Sequence, residues 1–204
     1  MKKKIVTVLL AALLAAMMTA CGGTGTGGNT GTDSDRNSDE VTTQEQDVTG
    51  MVHLENAEDV SAFFEEIYAG VPAGKLPSAL ETIEMDMEDR DTIIYNTGLT
   101  DINGISGITL SESMMGSIAY SMFYIRTTDD ADPEDIRQRI MDNIDPAKWI
   151  CVSAEKQAAG IFGQDIFYVM GSEETVDLVY EQAVKAAQNR GLAVSDVLEQ
   201  TNPQ

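Results

Sequence analysis

Apolar positions recur along this chain with two different periods, and the switches between them mark its elements. After Asn56, a capping residue with Asp59 three positions on, Val60, Phe63, Phe64, Ile67 and Tyr68 repeat at helical spacing. With Gly70 as a stop, this predicts an amphipathic helix over 57–69. Pro72, Gly74 and Pro77 then break the pattern, and Ser78 reads as the cap of a short helix reaching about Glu84. Asn96, Gly98, Asn103, Gly104 and Gly107 point to turns.

Alternation with a period of two follows. Residues 108–110 read as a short strand, and 117–126 (SIAYSMFYIR) place Ile118, Tyr120, Met122 and Tyr124 on one face. Pro133 opens a helix with apolar positions Ile136, Ile140, Met141 and Ile144. Asp145-Pro146 ends it, because the residue before a proline is pushed out of the helical region. Residues 149–153 read as another short strand. Residues 158–162 and 165–170 flank Gly163-Gln164, a two-residue hairpin loop of the Gly-first kind. Ser172 then caps a final helix over 173–190, whose stripe is Val176, Val179, Tyr180, Ala183, Val184 and Ala187, with Gly191 beyond it.

Met122-Phe-Tyr-Ile-Arg126 leads into an acid-started helix, and Ile166-Phe-Tyr-Val-Met170 does the same 44 residues later. The core thus reads as two ββα units, either a duplication or a chance likeness between two aromatic strands. The expected class is α+β, a four-stranded, mostly antiparallel sheet packed by helices.

The same patterning divides the chain. Lys2, Lys3 and Lys4 precede an apolar run over residues 5–18, the layout of a secretory signal. Its 14 residues span only about 20 Å as a helix, short of a hydrocarbon core of roughly 30 Å. Residues 1–20 are therefore expected to be a removable signal. Residues 22–50 hold only Val41 and Val48 as aliphatics among Gly, Thr, Ser and Asp. Such a stretch cannot offset its ordering entropy by burial and reads as a tether, with a root-mean-square reach of about 30 Å and a limit of roughly 100 Å. Residues 51–204 are left as a single globular domain, long enough for a core without disulfides.

Charge narrows the function classes. The chain carries 34 acidic and 13 basic side chains, a formal net charge of −21. Removal of residues 1–20 takes three lysines and no acid, leaving −24. The tether holds six acids and one base, while residues 51–204 hold 28 acids and nine bases. The excess therefore lies on the folded part. A surface of this sign repels a polyanion, which argues against a nucleic-acid partner.

Met18-Thr19-Ala20-Cys21 resembles the lipobox of bacterial lipoproteins, although Met18 stands where that family usually has leucine. The resemblance implies that Cys21 is lipidated and becomes the N-terminus of a protein anchored on the extracytoplasmic face of the cell membrane; two acyl chains suffice for stable anchoring. With Cys21 so used, Cys151 has no disulfide partner. The lipobox, polar tether, N-terminal helix and paired hairpin-plus-helix units together resemble a family of small lipoproteins of unknown function, frequent in low-GC Gram-positive bacteria. That likeness covers roughly residues 54–190, and the Trp149–Lys156 segment departs from the helix it would lead one to expect. It transfers no catalytic residues, and implies a surface role accessory to envelope-polymer modification.

Candidate chemistry is sparse. His53 is the single histidine, so a Cys–His site would join it to Cys151. But Cys151, between Ile150 and Val152, reads as buried and inert, and His53 lies at the end of the tether. Asp130, Asp132 and Glu134 have spacing that suits oxygen ligands of a cation, yet Asp135 and Met141 stand where a calcium loop needs Gly and Glu. The alternative reading accounts for every residue of that run. Asp132 caps the helix, Pro133 takes its first position, and Glu134 and Asp135 sit at the positive end of the dipole. Asp33, Asp35 and Asn37 likewise imitate the start of a calcium loop but meet Ser38 and Gln44 where Gly and Glu belong. Glu84, Asp86 and Glu88, alternating with Met85 and Met87, read as a solvated face. Met114 and Met115 are expected to tuck onto the core, or else to meet a partner. No phosphate-binding or dinucleotide motif is present, and no cofactor is implied. The expected function is a non-enzymatic binding or accessory domain at the cell surface, with the membrane as one partner and a protein or envelope polymer as another. The alternative is a carboxylate-based hydrolase or transferase accessory.

Overall fold

In the computed structural model the described residues are 53–202, and they form four helices and six strands. In chain order these are α1 (Ala57–Gly70), β1 (Leu80–Glu84), α2 (Arg90–Thr97), β2 (Ile105–Ser113), β3 (Ser121–Thr127), α3 (Pro133–Asn143), β4 (Lys156–Phe162), β5 (Asp165–Gly171), α4 (Glu173–Asn189) and β6 (Leu198–Thr201). The strands make one open sheet in the order β1-β2-β3-β5-β4-β6, antiparallel at every pairing. The class is α+β, as the patterning implied, but the sheet has six strands rather than four.

Local signals built the long helices. Asn56 accepts the Glu58 and Asp59 amides, Asp132 those of Glu134 and Asp135, and Ser172 that of Thr175. Each cap satisfies donors that the first helical turn leaves orphaned. Gly163, at φ 70°, turns β4 into β5 as the two-residue loop requires.

The extra elements are short and owe little to periodicity. Residues 80–84 form a strand, not the helix expected from Ser78, because β2 offers them a full ladder from Leu80 opposite Ser113 to Glu84 opposite Thr109. β6 has one apolar residue and exists through its pairing with Lys156 to Ala159 of β4. α2 replaces expected turns. Asp89 caps it through the Thr92 amide, and Gly98, left-handed at φ 74°, ends it. Residues 149–153, expected as a strand, belong to a loop that the Ala154 amide closes on the Pro146 carbonyl at 2.8 Å.

Helices cover both faces of the sheet. On one, α1 and α4 pack against Met122, Tyr124, Phe162, Phe167 and Val169, with Phe63 meeting Tyr124, Phe162 and Phe167 edge-on. On the other, Ile93 of α2 and Ile136 and Ile140 of α3 cover Phe123, Ile125, Ile166, Tyr168 and Met170; the rings of Phe123 and Tyr168 stack at 4.5 Å. The two echoing segments therefore face opposite ways. Tyr124 enters the first layer and Tyr168 the second, and α3 and α4 cover opposite faces. A twofold axis relating antiparallel neighbours β3 and β5 stands perpendicular to the sheet and would keep both helices on one face. The echo is thus one of sequence and element order, without rotational symmetry.

Candidate functional site

A cleft of about 350 Å³ opens where α4 begins. Four separate segments supply its walls: Lys75 and Leu76 after α1, Ile118 and Tyr120 before β3, Ser153 and Glu155 before β4, and Ser172 and Thr175 at the head of α4. The lining is apolar at its base and polar at its rim. Lys75 pairs with Glu174 at 2.6 Å and its carbonyl accepts the Thr175 hydroxyl at 3.1 Å, tying the α1–β1 connection to α4. Glu155 already accepts the Glu173 amide at 3.1 Å, so a carboxylate of the chain itself occupies the helix start. At the base, the buried Tyr120 hydroxyl donates to Tyr68, which donates to Ser111 at 2.7 Å. Burial holds the Tyr120 phenol well above its ordinary value, so it stays neutral.

The loop forming one wall is held by a buried lysine. Lys148 Nζ donates to Asn96 at 2.7 Å and Ser121 at 3.3 Å, and pairs with Glu112 at 2.8 Å. The rings of Tyr95 and Trp149 flank the ammonium, and Trp149 donates its indole N–H to Glu112 at 3.1 Å. Burial pushes the lysine below its ordinary value, and Glu112 opposes that shift. Beyond this anchor Ile150 is 83% exposed. Cys151 is also exposed, with φ at +65°, a conformation rare for a residue with a side chain. The expectation of a buried Cys151 is therefore corrected. Apolar neighbours in sequence do not make a core where the chain leaves the sheet.

His53 is held by two carboxylates rather than by Cys151. Its Nδ1 lies 2.8 Å from Asp165 and its Nε2 3.3 Å from Asp129. Asp165, fully buried, also accepts the amides of Leu54 and Thr127 and the Tyr124 hydroxyl. This residue escaped the sequence reading. Its one signal was a carboxylate at the first position of an otherwise apolar strand.

The remaining candidates disperse. Asp132 is the α3 cap, Asp130 accepts the Thr128 hydroxyl, which holds its carboxyl below the ordinary value, and Glu134 pairs with Arg137. Among the described residues no group of three His, Cys, Asp or Glu side chains could hold a metal ion. Glu84 is no simple solvated acid, since it pairs with Arg126 and accepts the Thr109 hydroxyl. Met114 and Met115 stand exposed instead of tucking onto the core. Cys21, the expected signal over residues 1–20 and the Asp33–Asn37 run lie outside the described residues. Among the described residues no helix is long and apolar enough to cross a membrane.

The arrangement is that of an α+β domain with an open, mixed-polarity cleft at one end of its sheet. Compared with family models, with curated proteins and with solved structures, the chain matches none.

Proposed function

We propose that this chain is a lipid-anchored domain on the extracytoplasmic face of the membrane, tethered through Cys21, that binds an envelope component without turning it over. The observation that carries the binding part is the cleft at the head of α4, whose apolar base and polar rim suit recognition of an amphipathic ligand. The anchor rests on Met18-Thr19-Ala20-Cys21, and the likeness to small Gram-positive lipoproteins on the order of elements. The Asp165 hydrogen bonds fix the start of the folded domain, the point at which a tether would pull. They tie His53 and Leu54, the residues entering α1 from the tether side, to the central strand β5. A carboxylate hydrolase would need two acids converging on bound substrate, and the cleft's lining includes Glu155 alone.

The test has two arms. Cys21→Ser should release the protein from the membrane fraction, and unchanged retention would refute the anchor. A soluble digest of cell-wall polymer should raise the melting temperature of the parent, but not of Ile118→Trp, which adds bulk at a half-buried side chain of the cleft lining. No shift in the parent refutes envelope binding at this site. Turnover of the digest that Glu155→Gln abolishes would replace binding by catalysis.

A further inference from the structure

The free edge of β1 is built unlike the rest of the sheet's surface. The Met85 amide donates to the Ile108 carbonyl at 2.8 Å, and the Met114 amide to the Ala79 carbonyl at 3.1 Å. These bonds bracket the β1–β2 ladder and set its phase. In an antiparallel pair the inward and outward backbone groups alternate, so Glu81 and Ile83 bond to β2. Leu80, Thr82 and Glu84 therefore point their N–H and C=O groups away from the sheet. From Glu81 to Glu84 the strand is exposed throughout, and β2 is its only strand neighbour among the described residues.

Two different surfaces flank that edge. On the α1 side a groove of about 440 Å³ runs between Ala57, Glu58, Ser61, Ala62 and Glu65 and the Glu84 end of β1. Glu84 is neutralised by Arg126, but Glu58 and Glu65 have no ion-pair partner among the described residues. On the opposite side a notch of about 80 Å³ lies between Ile83, Leu110 and Met114, with Glu81 at its rim. Ile83 and Met114 are 44% and 66% exposed.

We propose that β1 accepts an extended segment of a partner protein in which basic and apolar side chains alternate. Added as a seventh strand, such a segment would satisfy the outward groups of Leu80, Thr82 and Glu84. Its pleat would send one set of side chains to each flank. Lysine or arginine would meet Glu58 and Glu65, and aliphatic residues would cover Ile83 and Met114. Charge chooses this occupant over a second copy. Pairing β1 with itself would oppose two such acidic flanks on domains that each carry 28 acids against nine bases. The edge charges that forbid self-association are the feature that admits a basic strand. The inference deepens the binding reading but depends on neither Cys21 nor the cleft, so either can fail alone.

The experiment uses the full chain in detergent micelles and a capped Lys-Val-Lys-Val-Lys peptide, with residue-resolved amide exchange as the readout. With nine sites in ten occupied, exchange at Thr82 and Glu84 should slow by about tenfold, since it then runs through the free tenth. Glu81 and Ile83 should not change. Capped Glu-Val-Glu-Val-Glu should have no effect, and added salt should weaken the lysine peptide. Thr82→Pro removes an outward N–H and no ladder bond, and should abolish protection. Should that variant not fold, Glu58→Lys with Glu65→Lys, at exposed helix positions, should transfer the effect to the glutamate peptide. Equal protection by both peptides, protection centred on the α4 cleft, absence of protection, or concentration-dependent protection without peptide would each overturn the proposal.

Discussion

Asp165 accepts a hydrogen bond from His53 at 2.8 Å across 112 positions of sequence. The carboxylate has no solvent exposure, and its other acceptor positions are taken by the amides of Leu54 and Thr127 and the hydroxyl of Tyr124. One side chain thus joins the approach to α1, the end of β3 and the start of β5. A buried charge is tolerated because donors surround it.

Asp165→Ala should accordingly cost about 3 kcal/mol, the scale of orphaning several partners of a buried charge. His53→Ala should cost about 1 kcal/mol, because Asp165 keeps its remaining donors. Denaturant melts of both variants and of the double variant check this, and the losses should be less than additive. Full additivity would mean that the two side chains act separately.

Alkaline pH should unfold the domain. All six tyrosines are raised above their ordinary value, with desolvation the largest cause in each, and Tyr180 reaches about 12. A raised phenol binds its proton more tightly in the folded state. Its contribution is complete below the unfolded value near 10 and is lost as pH rises toward the folded one. The lowered Lys148 has the opposite sign and offsets one group among six. Stability should therefore fall above about pH 10, with phenolate absorbance rising together with the loss of circular dichroism. Ionisation of more than three of the six phenols in a still-folded chain would contradict the burial of Tyr120, Tyr124 and Tyr168, since Tyr68, Tyr95 and Tyr180 are only partly buried or exposed.

Cys151 should react with a thiol reagent without denaturant, because its side chain is exposed. Its left-handed backbone makes a second, independent demand. Cys151→Asn should hold or raise stability by about 0.5 kcal/mol, while β-branched Cys151→Val should lose about 1–2 kcal/mol. Equal stability of the two variants would show that the loop relaxes out of that conformation.

Asp132→Ala should cost about 1 kcal/mol through the lost α3 cap. Millimolar calcium should leave the parent's melting temperature unchanged. A calcium-dependent rise that Asp130→Asn or Glu134→Gln removes would restore the cation reading of this segment.

Features set by near neighbours along the chain could be read from residue order. The helices at Asn56, Pro133 and Ser172 were legible because a cap and an apolar stripe act within a turn or two of the chain. The β4–β5 hairpin was legible because its turn needs two residues. The acidic excess and the Cys21 motif are likewise properties of composition and adjacency. The remaining features depend on contacts between distant segments. β1 and β6 are strands because β2 and β4 present ladders to them, and no pattern in five or four residues announces that. The α4-end cleft is assembled from four segments, and Asp165 meets a histidine more than half the chain away. Met122-Phe-Tyr-Ile and Ile166-Phe-Tyr-Val look alike in sequence, yet pairing turns their tyrosines to opposite faces of the sheet. Register, burial and the meeting of distant side chains are set by non-local contacts, whereas caps, turns and periodicity are set by neighbours along the chain.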